Sequence, residues 1–242
     1  MPSAPQPGVT CVTCGEEAAT PSNAWGQRVH PTCLAPPVCE SCTAWIEGEG
    51  SEELPDGRRL CLDCLAKGVW EPESAQLLLE HTYLQVRELG LRFTLDAPLQ
   101  VLDRSGFSAV AGRRALGHSK VVVSGGVHRV TRTVILSHLR PLQFRGVLAH
   151  ELTHAYLHQR VPVALPRALT EGLCNYVASR IYLSAGHDPM KPLLLALLEQ
   201  DPDPHYGGGY RQVRDALTEP GSLAKLLRSL EAGVIPAGLS LL

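Results

Sequence analysis

The sequence predicts an α+β fold behind a small metal-stapled module, and three observations predict it. Segments of β character come before a run of helical segments. Cysteines and one histidine crowd into close pairs between Cys11 and Cys64. Residues 150–154 read His-Glu-Leu-Thr-His inside an apolar-periodic stretch. The chain of 242 residues has room for one large or two modest domains. The boundaries expected are a disordered lead over residues 1–10, a zinc module over 11–70 and a larger domain over 71–242.

The module rests on ligand spacing. Cys11 and Cys14, His30 and Cys33, Cys39 and Cys42, and Cys61 and Cys64 form four pairs, each separated by two residues. Two thiolates at that spacing reach one tetrahedral ion and are poorly placed to bridge each other. Eight ligands suffice for two closed structural zinc sites. Histidine third and cysteine fourth is the order of a LIM module, in which consecutive pairs share an ion. Cys11, Cys14, His30 and Cys33 then take one zinc, and Cys39, Cys42, Cys61 and Cys64 the other. Asp56-Gly-Arg-Arg-Leu-Cys61 resembles the turn and strand that open the last ligand pair of such a module. Five residues, with Pro36 and Pro37 among them, separate the two halves where a LIM domain has two. So few large apolar side chains cannot bury a core, so metal must supply folding energy.

Glu71-Pro72 begins a change of composition. Residues 73–89 have helical spacing and stop at Gly90. Leu91–Leu95, Val101–Leu102, Lys120–Ser124 and Val130–Ser137 read as strands, with Gly125 and Gly126 as a turn. Val130–Ser137 is the first candidate for an edge strand that holds an extended peptide, and Lys120–Ser124 the second. Helices follow over Pro141–Gln159, Pro166–Leu183, residues 191–200, about 208–218 and 221–232. Pro141 suits the first turn of its helix.

On that helix His150 and His154 are four apart and share a face, so both imidazoles reach one metal. Glu151, on the next position round, reaches a water there. Glu171, near the start of the following helix, is the third ligand, which leaves a fourth position for water. His158 continues the histidine series. Three such residues climb about 12 Å along an unbroken helix, too far for one zinc, so His158 is assigned to the surface or the surroundings of the site. The set His150, His154, Glu171 is the gluzincin arrangement. Asn175 lies four residues after Glu171, and either receives a ligand histidine's N–H or faces solvent. Tyr206, Tyr210 and His205 flank glycines 207–209 and either stabilise an oxyanion or pack a turn. Arg211 binds substrate or caps a helix. Cys174 reads as a small buried hydrophobe.

These stretches resemble the LIM-peptidase family, relatives of the plant ubiquitin-activated peptidases that limit organ growth. Leu136-Ser-His-Leu-Arg-Pro141 and Gly146-Val-Leu-Ala-His-Glu-Leu-Thr-His-Ala-Tyr-Leu157 are similar to the family's strand and active-site helix. Glu171-Gly-Leu-Cys-Asn175 is similar to its Glu-Gly-Ile-Cys-Gln segment, and Asp203-Pro-His-Tyr-Gly-Gly-Gly-Tyr-Arg211 to its Tyr-Gly-x-Gly-Phe-Arg stretch. The resemblance implies a small zincin peptidase domain with a mixed sheet, one catalytic and two structural zinc ions, and a protein or peptide substrate. By family analogy it also brings in ubiquitin or a ubiquitin-like protein as activator or substrate, although no acidic motif of the plant kind precedes Cys11. The second reading is a non-catalytic protein-binding scaffold with a vestigial metal site.

Charge and composition narrow the partners. Residues 1–70 carry a balance of −5 and the remainder +3. Zinc-bound thiolates would make the module more acidic still, which argues against nucleic acid and for protein. The longest apolar runs are far short of a membrane span. The N-terminal residues lack a basic region followed by an apolar one, and the cysteine pattern is that of a reducing compartment, so a cytoplasmic location is expected.

Overall fold

The computed structural model describes residues 10–18, 23, 25–47, 50–112, 115–124 and 127–239. The expected disordered lead falls almost wholly outside them, and so does the Gly125-Gly126 turn. The contacts divide the chain into two compact units. One comprises the chain up to Gly68 together with His138–Arg140, and the other Val69–Ser137 and Pro141 onward.

The first unit holds a short antiparallel hairpin, β1 (Ser51–Glu53) with β2 (Arg59–Cys61), and one short helix, α1 (Leu62–Lys67). Gly57, at φ +83°, makes the turn between the strands. Asp56 and Arg58 form a buried ion pair at 2.9 Å beside it. Gln27 joins the two halves of the unit: its amide oxygen accepts from Trp45 N at 2.7 Å and its amide nitrogen donates to Trp45 O at 2.8 Å. The tripeptide His138–Arg140 is held from three places in this unit. Ser41 Oγ donates to His138 O at 2.9 Å, Asp63 pairs with Arg140, and Gly68 lies so close that a Cβ there would meet His138 Cα at 2.8 Å. His138 itself has φ +61°, rare for a residue with a side chain.

The second unit is α+β. Helix α2 (Pro72–Glu88) precedes β3 (Leu99–Leu102), α3 (Arg104–Ala111), β4 (Gly117–Ser124) and β5 (Val127–Leu136). The sheet is mixed, in the order β3-β5-β4, with β3 parallel and β4 antiparallel to β5. The preferred edge-strand candidate, Val130–Ser137, is thereby overturned: β5 is paired on both sides. β4 has a strand partner on one side among the described residues, so the second candidate, Lys120–Ser124, lies on an edge.

Leu91–Leu95 also departs from expectation, because it joins no sheet. Its alternation is real, with Leu91 and Phe93 buried. The amide of Gln159 takes the place of a neighbouring strand: it accepts from Thr94 N at 3.2 Å and donates to Thr94 O at 2.9 Å. Helix α3 was not expected. Asp103 caps it, accepting from Gly106 N at 2.7 Å.

Helices α4 (Pro141–Arg160) and α5 (Arg167–Ser184) bury residues all round, as central helices do. Two buried hydroxyls are satisfied within the helices: Thr153 Oγ1 donates to Ala149 O and Ser179 Oγ to Tyr176 O, both at 2.7 Å. Gly146 of α4 admits the Tyr182 ring, which a Cβ would meet at 2.1 Å. Helices α6 (Met190–Gln200), α7 (Gly209–Ala216) and α8 (Ser222–Glu231) complete the unit, with a single π-turn (Pro204–Gly208) leading into α7. No helix of the described residues is long and apolar enough to cross a membrane.

Candidate metal centre and active site

Helices α4 and α5 run antiparallel, with Gly146 opposite Tyr182, His150 opposite Asn175 and His154 opposite Glu171. This register builds the site. His150 Nε2 and His154 Nε2 are 3.2 Å apart, and Glu171 Oε2 lies 3.3 Å from the first and 3.5 Å from the second. Three donor atoms thus surround one point, at separations that bonds of about 2 Å to a shared ion would produce. Glu171 Oε2 is buried and, apart from these two imidazoles, has no hydrogen-bond partner. A buried carboxylate oxygen left in that state is costly unless a cation meets it, so the donor set fits a metal.

The electrostatics agree. Burial pushes the Glu171 carboxyl up, yet His150 and His154 hold it well below the usual carboxylate range. Burial pulls His150 down, but Glu171, the Glu151 charge and the Asn175 amide outweigh that and hold it above an ordinary histidine. Two imidazoles and a carboxylate without an ion share protons where a cation would otherwise sit.

Glu151 is buried against the first residue of β4, and a Cβ on Gly117 would meet its Oε1 at 2.9 Å. Helix α4 continues without a break through Ala155, Tyr156 and Leu157, and His158 is exposed. The sulfur of Cys174 comes within 4.8 Å of donor atoms of both histidines. Burial pushes its thiol well above the ordinary value, so it stays neutral.

The three oxyanion candidates part company. The Tyr206 ring stacks on His150, with centroids 6.3 Å apart and planes 11° from parallel. Tyr210 is buried with its hydroxyl toward Ser179 and Glu199, and Ser179 lies two turns and about 12 Å along α5 from Glu171. His205 meets no ligand residue, and its Nδ1 is buried without a partner. Arg211 is tied to backbone, donating to Glu199 O at 2.8 Å and Asp201 O at 3.0 Å.

Two features escaped the sequence reading. The Arg167 guanidinium lies over the Tyr206 ring, 5.8 Å from its centroid. The spacing that pairs Arg167 with Glu171, four residues on one helix face, was the available signal. Gly207 and Gly209 serve close approach: a Cβ at Gly207 would meet Asp201 O at 2.1 Å, and one at Gly209 would meet Ala168 O at 2.1 Å. A cavity of about 860 Å³ opens beside His154, with Leu157, Val161 and Leu165 among its apolar lining and Arg129 and Asp96 among its polar lining.

In the first unit, the donor atoms of Cys11, Cys14, His30 and Cys33 lie within 4.8 Å of one another, as do those of Cys39, Cys42, Cys61 and Cys64. His30 Nε2–H donates to Glu17 O at 2.9 Å, which leaves Nδ1, 3.3 Å from Cys14 Sγ, as its ligand atom. In the second set, hydrogen bonds from Cys42 and Cys64 hold Cys39 far below an ordinary thiol, and the hydrogen bond to Cys39 pushes Cys42 up to about 12. Four sulfurs so close cannot all ionise without a cation. All eight cysteines are free thiols.

Both helices fall in a stretch that is similar to a peptidase family. Residues 85–191 match a family described as peptidase of plants and bacteria. Protein DA1 of Arabidopsis thaliana is 25% identical, over 64% of this chain and 36% of its own length. Protein DA1-related 1 of the same plant is 24% identical, over 64% and 35%. These matches bear out the resemblance to the DA1-like LIM-peptidase family. The chain spans about a third of the length of these curated relatives. No solved structure gives a significant match.

Proposed function

We propose that the chain is a zinc-dependent endopeptidase of gluzincin type, with a LIM-like module that recruits its protein substrate. The observation that carries this reading is the convergence of His150, His154 and an otherwise orphaned Glu171 oxygen, with Glu151 alongside. His150, His154 and Glu171 would hold the zinc. When bound, the ion supplies a Lewis acid for the peptide carbonyl and lowers the pKa of a coordinated water.

The protein's own groups do the rest. Glu151 takes the proton of the attacking water and passes it to the leaving amine. Gly117 leaves room for that carboxylate beside the start of β4. The edge of β4 offers backbone groups to an extended peptide, and the cavity beside His154 receives its side chains. Of the three oxyanion candidates, Tyr206 stands against the ligand set, and its hydroxyl is the donor this reading favours. The two four-ligand sets take one structural zinc each, giving three ions per chain. Substrate, activator and location are proposals on the same footing: a protein substrate, a ubiquitin-like partner by analogy with the plant relatives, and the cytoplasm.

The test is zinc-loaded full-length protein incubated with proteome-derived peptides, with new termini read by mass spectrometry. Cleavage is expected, and Glu151→Gln should lower it by at least about 10²–10⁴-fold, the range of general-base catalysis, while keeping the zinc. No cleavage by zinc-loaded wild type, or equal cleavage by the variant, overturns the reading.

A further inference from the structure

Asn175 touches the site and the wall beside it at once. Its amide faces His150 Nδ1 at 2.9 Å on one side and the Tyr206 carbonyl at 3.2 Å on the other. A carbonyl oxygen can only accept, so the amide atom facing it is the –NH₂ group. The atom facing His150 is therefore Oδ1, which also can only accept. His150 Nδ1 must then carry its proton, which leaves the Nε2 lone pair turned toward His154 and Glu171. The peptide carbonyl of Tyr206 thus dictates, through one side chain, which nitrogen of His150 is free for a metal.

The far end of this relay is rigidly held. Asp203 Oδ1 accepts from His205 N at 2.8 Å and Tyr206 N at 3.1 Å. Gly208 N donates to Asp203 O at 2.9 Å, the bond that defines the π-turn. Gly172 of α5 is in near contact with Gly209, where a Cβ would come within 2.4 Å of backbone. π-turns of this kind recur at functional sites.

We propose that Asn175 is a positioning residue that joins the His150 tautomer to the Pro204–Gly208 turn, so that metal loading orders the turn carrying Tyr206 and the turn prepares the metal site. The inference rests on the zinc reading of His150, His154 and Glu171. It assigns Asn175 two separable bonds, one an acceptor toward His150 and one a donor toward Tyr206.

The experiment uses full-length protein stripped of its chelator-labile metal, with the closed sites still filled, and zinc as the probe. Zinc affinity is measured by chelator competition, and hydrogen exchange of residues 204–208 is followed with and without zinc. Asn175→Leu should lose about 10–100-fold in affinity, the usual effect of removing a ligand histidine's partner. Asn175→Asp keeps the acceptor and loses the donor. It should bind zinc within about threefold of wild type, because a carboxylate is a common partner for a ligand histidine, yet show no zinc-induced protection of 204–208. Wild-type affinity in Asn175→Leu, or wild-type protection in Asn175→Asp, overturns the proposal. If Asn175→Leu does not fold, Asn175→Asp decides alone. Failure of wild type to rebind one zinc would instead sink the metal reading beneath it, and that result is distinct from tight zinc binding indifferent to residue 175.

Discussion

At the scale of single residues, two side chains compete to join His150 and His154. Glu171 of α5 brings a buried oxygen within 3.5 Å of both imidazoles, while His158 stands exposed on the next turn of α4. Glu171→Ala is therefore expected to cost the chelator-labile zinc, and His158→Ala to leave it. Metal content of the two purified variants checks this. The pH behaviour follows from the same atoms. In metal-free protein His150 binds its proton more tightly than the ordinary 6.5, so its contribution to stability is full below that value and is lost as pH rises through its folded pKa. Glu171 has the opposite sense: its contribution is present above its ordinary 4.5 and is lost as pH falls through its depressed folded value. Zinc needs both groups deprotonated, so its affinity should fall as pH drops below the raised His150 value. Thermal midpoints of metal-free protein, carried well below pH 4 for Glu171, and zinc titrations across about pH 4–8 measure the two trends.

The candidate ligands His150 and His154 were legible in the sequence because four-residue spacing on a helix is a local fact. The partners of those ligands were less so. Asn175 was visible as one of two alternatives, and only the register of α4 against α5 sets it on His150. Tyr206, Tyr210 and His205 looked equivalent because they share one glycine-rich stretch. The π-turn separates them, sending Tyr206 to His150 and Tyr210 to Ser179.

At the scale of elements, the helices were the readable part, since 3.6-residue periodicity needs no partner to show. Strand order was not readable. A continuous run such as Val130–Ser137 says that it is buried, but not which strands flank it. Leu91–Leu95 shows the converse: it has strand alternation, while its hydrogen bonds go to the side chain of Gln159. The junction of α5 with α7 supports a prediction of its own. Gly172→Ala places a methyl where Gly209 backbone already lies, and overpacking of that kind costs about 1–3 kcal/mol. Chemical denaturation should show the loss, and exchange at 204–209 should rise, because the π-turn is displaced with α7.

At the scale of the molecule, spacing alone divided the chain at residue 70, and the four ligand pairs assembled as consecutive spacing predicts. The reach of the first unit into residues 138–140 left no trace in composition. A chain starting at Glu71 is expected to melt below the full-length protein in scanning calorimetry, with faster hydrogen exchange at His138–Arg140. That segment would have lost Ser41, Asp63 and Gly68 together.

The tripeptide His138–Arg140 also bears on how such a protein can be divided and recombined. The chain leaves its first unit after Gly68, returns for three residues, and leaves again at Pro141, so the boundary is crossed three times rather than once. A serial arrangement of modules permits exchange by a single join, but an interleaved one does not. A cysteine-rich module grafted here from elsewhere would lack the contacts that Ser41, Asp63 and Gly68 give residues 138–140, and this one moved elsewhere would leave those groups without their segment. Substitutions at Ser41, Asp63 or Gly68 are therefore answerable to a segment some 70 or more residues further along the chain.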